Sequence, residues 1–138
     1  MFESCSSLKN LDLQNFDVTW ARYFDYMFYG CESLEKLDIS KFATEQATTM
    51  KFMFAGCKAL TELNVDLFVT SSVTSMEQMF QGCASLSYLD LSSFSTSKCT
   101  SFDKMFDSCS SDLTVKCSSS NANNMINAIS NTVKVETV

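Results

Sequence analysis

Met-Phe stands at residues 1–2, 27–28, 53–54, 79–80 and 105–106, and cysteine at 5, 31, 57, 83 and 109, so the chain repeats every 26 residues. Leu8, Leu34, Leu60 and Leu86 form another column, and Leu11, Leu37, Leu63 and Leu89 a second. Leu13, Ile39, Val65 and Leu91 make a third, and Phe16, Phe42, Phe68 and Phe94 a fourth. A fixed period between about 20 and 50 residues leaves a chain few options. Each unit is too short to enclose a core, so it buries its apolar side only against its neighbours and the product is a solenoid.

Each unit divides into two pieces. Met76, Met79, Phe80 and Cys83 fall on one helical face. Thr74 with Glu77 has the form of a capping box, Thr100 with Asp103 the same with a shorter acid, and Thr48 holds the cap position alone. Gly30, Gly56 and Gly82 sit where a short helix needs a left-handed terminating residue. After the cysteine, Leu86-Ser-Tyr-Leu89-Asp-Leu91 alternates at its end, as a half-buried strand does. The expected fold is an α/β solenoid with one short helix and one short parallel strand per repeat. Residues 1–104 hold four repeats, beginning mid-repeat as a fragment would. Residues 105–138 form a shorter C-terminal cap: Met125-Ile126, Ile129, Val133 and Val135 follow their counterparts by 20 residues rather than 26.

Composition narrows function. The chain has 138 residues, a net charge of −6, seven cysteines, no histidine and no proline. Nucleic-acid binding needs a basic face, which is missing, and no apolar run approaches the ~20 residues that span a bilayer. Without histidine, His-based triads and most catalytic zinc sites are gone. No catalytic residue, cofactor or metal site is expected.

Leu-x-x-Leu-x-Leu is the strand half of a leucine-rich repeat. The fuller phrase MFxGCxSLxxLDLSxFxTSxVTSM resembles the BspA-like leucine-rich repeats of bacterial and some protozoan surface proteins, over residues 1 to about 110. That resemblance implies a right-handed leucine-rich-repeat solenoid. It also implies a non-catalytic, extracellular attachment protein that binds a protein or glycan of a host or neighbouring cell. Trp20-Ala-Arg-Tyr23 replaces the Ser/Thr-rich segment of the pattern, and Asn64-Val-Asp66 replaces Leu-Asp-Leu-Ser.

Three groups compete as sites. The cysteine column reads as small buried spacers, with disulfides between neighbouring units left open; Cys99, in the column of Val73, reads as core, and Cys117 as the candidate reactive or intermolecular thiol. Asp12, Asp38 and Asp90, with Asn64 between them, point outward about 5 Å apart. They read as a solvated strand face or, because like charges in register repel, as a receptor for a basic patch; calcium wants a wrapping acidic loop that the chain lacks. Lys36 and Tyr88 share this face. Trp20, Tyr23, Tyr26, Tyr29 and Phe52 form an aromatic group that either covers the N-terminal edge or binds a ligand. The Ser/Thr-rich returns read as helix caps and turn bridges. The working expectation is a cell-surface or secreted binding module, with an intracellular, cytoplasmic scaffold or a passive stalk as the alternatives.

Overall fold

The computed structural model describes residues 1–129 and 133–138. Its chain winds in successive 26-residue coils joined by an axial hydrogen-bond ladder on the Met-Phe side. Phe24, Tyr26, Phe28 and Gly30 donate backbone N–H groups to the carbonyls of Thr49, Lys51, Met53 and Ala55 at 3.1, 3.0, 2.9 and 2.8 Å. Met50, Phe52, Phe54 and Gly56 repeat this onto Ser75, Glu77, Met79 and Gln81, and Met76, Gln78, Phe80 and Gly82 onto Ser101, Asp103, Met105 and Asp107. Tyr23, Thr49, Ser75 and Ser101 open the ladder as parallel bridges. Intervening amides close tight turns, such as Tyr29 N–H onto the Tyr26 carbonyl at 3.2 Å and Cys31 N–H onto Phe28 at 3.2 Å.

The helix expected over each Met-Phe segment therefore does not form. An α-helix sends each N–H to the carbonyl four residues back, whereas here every second N–H points along the stack. Tyr26, Phe52, Gln78 and Lys104 also hold left-handed φ values of 56°, 55°, 52° and 52°, which a right-handed helix cannot include. The capping boxes dissolve with the helices. Thr48, Thr74 and Thr100 instead donate their hydroxyls to the carbonyls of Arg22, Thr48 and Thr74, one coil back, at 3.1, 3.1 and 3.4 Å. Gly30, Gly56 and Gly82 do take the left-handed conformation, at 69°, 77° and 70°. A Cβ on Gly56 would sit 3.4 Å from the backbone of Gly30, just touching the neighbouring coil, so the left-handed φ rather than lack of space is what calls for glycine.

Among the described residues strands occur late in the chain: β1 is Tyr88–Asp90, β2 Thr114–Cys117 and β3 Lys134–Thr137. They form one parallel sheet in the order β1-β2-β3, with Leu89 opposite Val115 and Val115 opposite Val135. The strand expected in every repeat thus appears in one of the four. Equivalent segments in earlier coils exchange too few axial bonds, chiefly Ser33 N–H to Ser6, Glu35 N–H to Lys9 and Ala59 N–H to Glu32. Two short helices, α1 at Ser119–Asn124 and α2 at Ile126–Ile129, lie between β2 and β3. Ser118 caps α1 by accepting the Asn121 N–H at 3.2 Å.

The core runs along the stack axis. Phe2, Phe28, Phe54, Phe80 and Phe106 stack with ring centroids 5.6–5.8 Å apart and planes within 4–7° of parallel. Each buried ring contributes about 1.5–3 kcal/mol of apolar transfer, and each stacked pair adds about 0.5–1.5 kcal/mol. Leu34, Leu60 and Leu86 are fully buried beside them, while their first-coil counterpart Leu8 is half-buried.

Candidate binding surfaces

The cysteine column belongs to the core, and the structure gives it a second duty. The thiols of Cys31, Cys57, Cys83 and Cys109 donate to the carbonyls of Phe2, Phe28, Phe54 and Phe80 in the preceding coil, at 3.1, 3.3, 3.3 and 3.0 Å. A cysteine there is both narrow and a donor, which alanine is not. All seven cysteines are free, so no disulfide joins neighbouring coils. Burial pushes the thiol of Cys57 up to about 12 and that of Cys109 to about 11, so neither is a ready nucleophile. Cys117 is not the reactive thiol expected: it pairs in register beyond Asp90–Lys116, continuing the Leu13–Ile39–Val65–Leu91 column, and is fully buried. Cys5 is the exposed one. Among the described residues no group of three or more cysteines and acids converges as metal ligands do.

The acidic column is a row of turn caps. Asp12 Oδ1 accepts the Gln14 N–H at 3.0 Å, Asp38 Oδ1 the Ser40 N–H at 3.0 Å and hydroxyl at 2.6 Å, and Asp90 Oδ1 the Ser92 N–H at 2.9 Å and hydroxyl at 2.6 Å. Asn64 does the same for Asp66 N–H at 3.0 Å. That explains why asparagine replaces aspartate: the turn uses one side-chain oxygen and no charge. The hydroxyls of Ser40 and Ser92 hold the carboxyls of Asp38 and Asp90 below the ordinary value. Asp90 also pairs with Lys116 at 3.0 Å. Each aspartate thus has a local structural role as a turn cap, and Asp90 has a cation beside it as well. The face divides into two open grooves of about 510 Å³ each. One gathers Asp12, Lys36 and Asp38, the other Asn64, Tyr88 and Asp90.

The aromatic group lies on the ladder side. Tyr26 stacks on Phe52 with centroids 4.7 Å apart and planes 9° from parallel. Tyr29 stands edge-on to both, at 5.5 and 6.2 Å. Trp20 and Tyr23 precede them in the same coil and are 82% and 72% exposed. In later coils the columns of Tyr26 and Tyr29 carry Gln78 and Gln81, whose side-chain amides bond each other. Charged neighbours are paired: Asp25 accepts from Thr49 Oγ1 and Lys51 N–H, Lys51 meets Glu77 at 3.5 Å and Lys58 meets Glu32 at 2.9 Å.

Beside Tyr29 runs a groove of about 420 Å³ that sequence reasoning missed. Its floor is the column Ser4, Gly30, Gly56, Gly82 and Ser108, and its walls include Tyr29, Gln81, Glu32 and Lys58. The signal was present in the regular column of small residues, read only as helix ends. A buried threonine column was missed as well. Thr44 and Thr70 Oγ1 accept the N–H groups of Val69 and Ser95 at 2.7 and 2.8 Å, and Thr96 Oγ1 donates to Asn121 Oδ1 at 2.8 Å. The Ser/Thr-rich returns are therefore axial ties between coils rather than helix caps.

The chain matches the family described as "Mycoplasma protein of unknown function, DUF285" over residues 1–67 and again over residues 36–137, and it belongs to that family. No curated protein and no solved structure matches it. Among the described residues no helix is long and apolar enough to cross a membrane.

Proposed function

We propose that this DUF285 member is the non-catalytic binding portion of a cell-surface protein, holding a protein or glycan of a host or neighbouring cell. The finer assignment, a BspA-like leucine-rich-repeat solenoid of right-handed coiling, belongs to the same proposal. One observation carries it. At equivalent positions of a repeating backbone the outward side chains change character, so Tyr26, Phe52, Gln78 and Lys104 share one conformation while running from aromatic to amide to cation. The grooves on the outer surface are open rather than closed pockets, which suits an extended ligand better than a reaction needing water excluded. Protease treatment of intact source cells, followed by detection of this segment, tests the proposal. Removal from intact cells is expected; protection until lysis overturns it.

A second reading, an intracellular scaffold using the same faces, is favoured by the seven free thiols, which a reducing compartment preserves. Thiol titration of protein isolated from its source under alkylating conditions separates the two. Seven free thiols favour the scaffold, and several bonded ones favour export.

A further inference from the structure

We infer that the ring cluster of Tyr26, Tyr29 and Phe52, with the bare Trp20 and Tyr23 of the same coil, is a binding site for a neutral glycan. The inference rests on the reading of the chain as a binding module and names the ligand class of one of its faces.

Tyr26 and Phe52 occupy left-handed backbone, at φ 56° and 55°. Any L side chain there costs about 1–2 kcal/mol, and four residues later the chain meets the same demand with glycine, at Gly30 and Gly56. Aromatic residues at these positions do not serve the backbone. Nor do they serve the core, since Tyr26 and Tyr29 are exposed and the core has its own phenylalanine stack. What they make is a preassembled cluster in which each ring fixes the next, so little side-chain freedom remains to be lost on binding.

The flat apolar surface of such rings suits the C–H face of a pyranose. The polar groups around it suit hydroxyls: the tyrosine phenols, and the amides of Gln78 and Gln81 in the same columns further along. Charge chooses among glycans. The chain carries −6 overall, and the acids Glu32 and Glu77 are matched by Lys58 and Lys51, so the net field of the chain, rather than a local acidic patch, disfavours sulfated, sialylated or uronic chains. A protein partner would anchor in a desolvated pocket, whereas this face is open. The groove beside Tyr29 crosses successive coils, whose spacing of about 4.8 Å is comparable to the length of one sugar unit.

The backbone amide NMR signals of residues 20–29 and of residue 52 report on the site in both the native chain and its variant. We would titrate the protein with neutral tetrasaccharides of glucose, mannose, galactose and N-acetylglucosamine, with a sulfated tetrasaccharide as control. The comparison protein is the triple variant Tyr26→Gln, Tyr29→Ala, Phe52→Gln. These replacements are residues the chain already uses in the same columns, at Gln78 and Ala55, so the variant keeps its fold, as its circular dichroism and unfolding midpoint will show. A saturable shift with at least one neutral tetrasaccharide, weakened about tenfold or more in the variant and absent with the sulfated control, is the expected result. No saturable shift, or one the variant leaves unchanged, overturns the inference. Binding of the native chain to glycosidase-stripped cells, lost in the variant, also overturns it: the occupant is then a protein, and the binding-module reading survives. Protection of the segment in unlysed source cells sinks that reading separately.

Discussion

The first two coils carry Tyr26 and Phe52 where the next two carry Gln78 and Lys104, on a backbone whose φ differs by no more than 4° across the four (56°, 55°, 52° and 52°). Inside the stack the same coils are nearly identical: Phe28, Phe54, Phe80 and Phe106 hold one column at almost constant spacing. Neighbours on every side fix the inner column, and any residue that will not stack there breaks two interfaces at once. The outer column answers only to water and to whatever binds. A repeat protein of this kind separates the two demands by radius, with architecture inside and recognition outside.

The largest effect that bears on this contrast is in the core. Phe54→Ala and Phe80→Ala should each cost about 3–5 kcal/mol, and nearly equally, because each ring is fully buried between two others. Urea unfolding measures both; unequal costs, or either below about 1 kcal/mol, would break the claim that the two halves share one interior. The strand-side core column makes a parallel test: Leu63→Ala is expected to cost about 2–5 kcal/mol.

Replacing the left-handed residues by glycine should split the halves. Gln78→Gly removes about 1–2 kcal/mol of backbone strain but also the side-chain amide hydrogen bond to Gln81, so it is expected to stabilise by up to about 1 kcal/mol. Phe52→Gly gains the same relief but loses the Tyr26 stack, worth about 0.5–1.5 kcal/mol, so its thermal midpoint should hardly move. Equal gains at both sites would mean that the ring cluster contributes nothing to the free protein.

The thiols distinguish inner coils from the first. Cys5 should react with a thiol reagent in the native state, and Cys57 and Cys83 only on unfolding, since both are fully buried. The buried thiols also set a pH dependence. Their folded values lie above the ordinary 9.0, at about 12 for Cys57 and about 11 for Cys109. Stability from keeping them protonated is therefore complete below about pH 9 and is lost as pH climbs toward 11–12, where the unfolded chain sheds protons first. Unfolding midpoints between pH 7 and pH 11 would show the decline; a flat profile refutes it.

The smallest effect concerns the acidic column. Asp38→Asn should leave stability nearly unchanged, because Asn64 already caps the same turn, whereas Asp38→Ala should lower the unfolding midpoint slightly, because the Ser40 N–H and hydroxyl lose their acceptor. If Asp38→Asn nevertheless abolishes binding to cells, the charge belongs to recognition and not to the turn.

Much of the interior was legible in the linear pattern. The columns of Phe28, Leu34 and Cys31 are buried as their 26-residue spacing implies, and the glycines are left-handed. The helices were not legible, because a train of tight turns also returns to one side every three or four residues. Met76, Met79, Phe80 and Cys83 fit either path. Choosing between them depends on where every second N–H points, and a single unit read alone does not contain its acceptor. The site candidates fared similarly. Tyr26 and Tyr29 could be marked as exposed from the polar residues in their columns, but their packing with Phe52 arises from adjacent coils. Cys117 was misjudged although the spacing carried the signal: it has no partner in the cysteine column but follows Leu91 by 26 residues, and the β1–β2 pairing keeps that register.

By itself the sequence determined the period, the residues that face inward and the lack of histidine chemistry, since these are properties of composition and spacing. Tertiary structure decided which hydrogen bonds the spacing serves. The Phe carbonyl accepts a thiol from the next coil, the aspartate caps a turn, and the ring cluster spans two coils. Each of these pairs a group with a partner in space or with backbone geometry, and a one-dimensional pattern records neither.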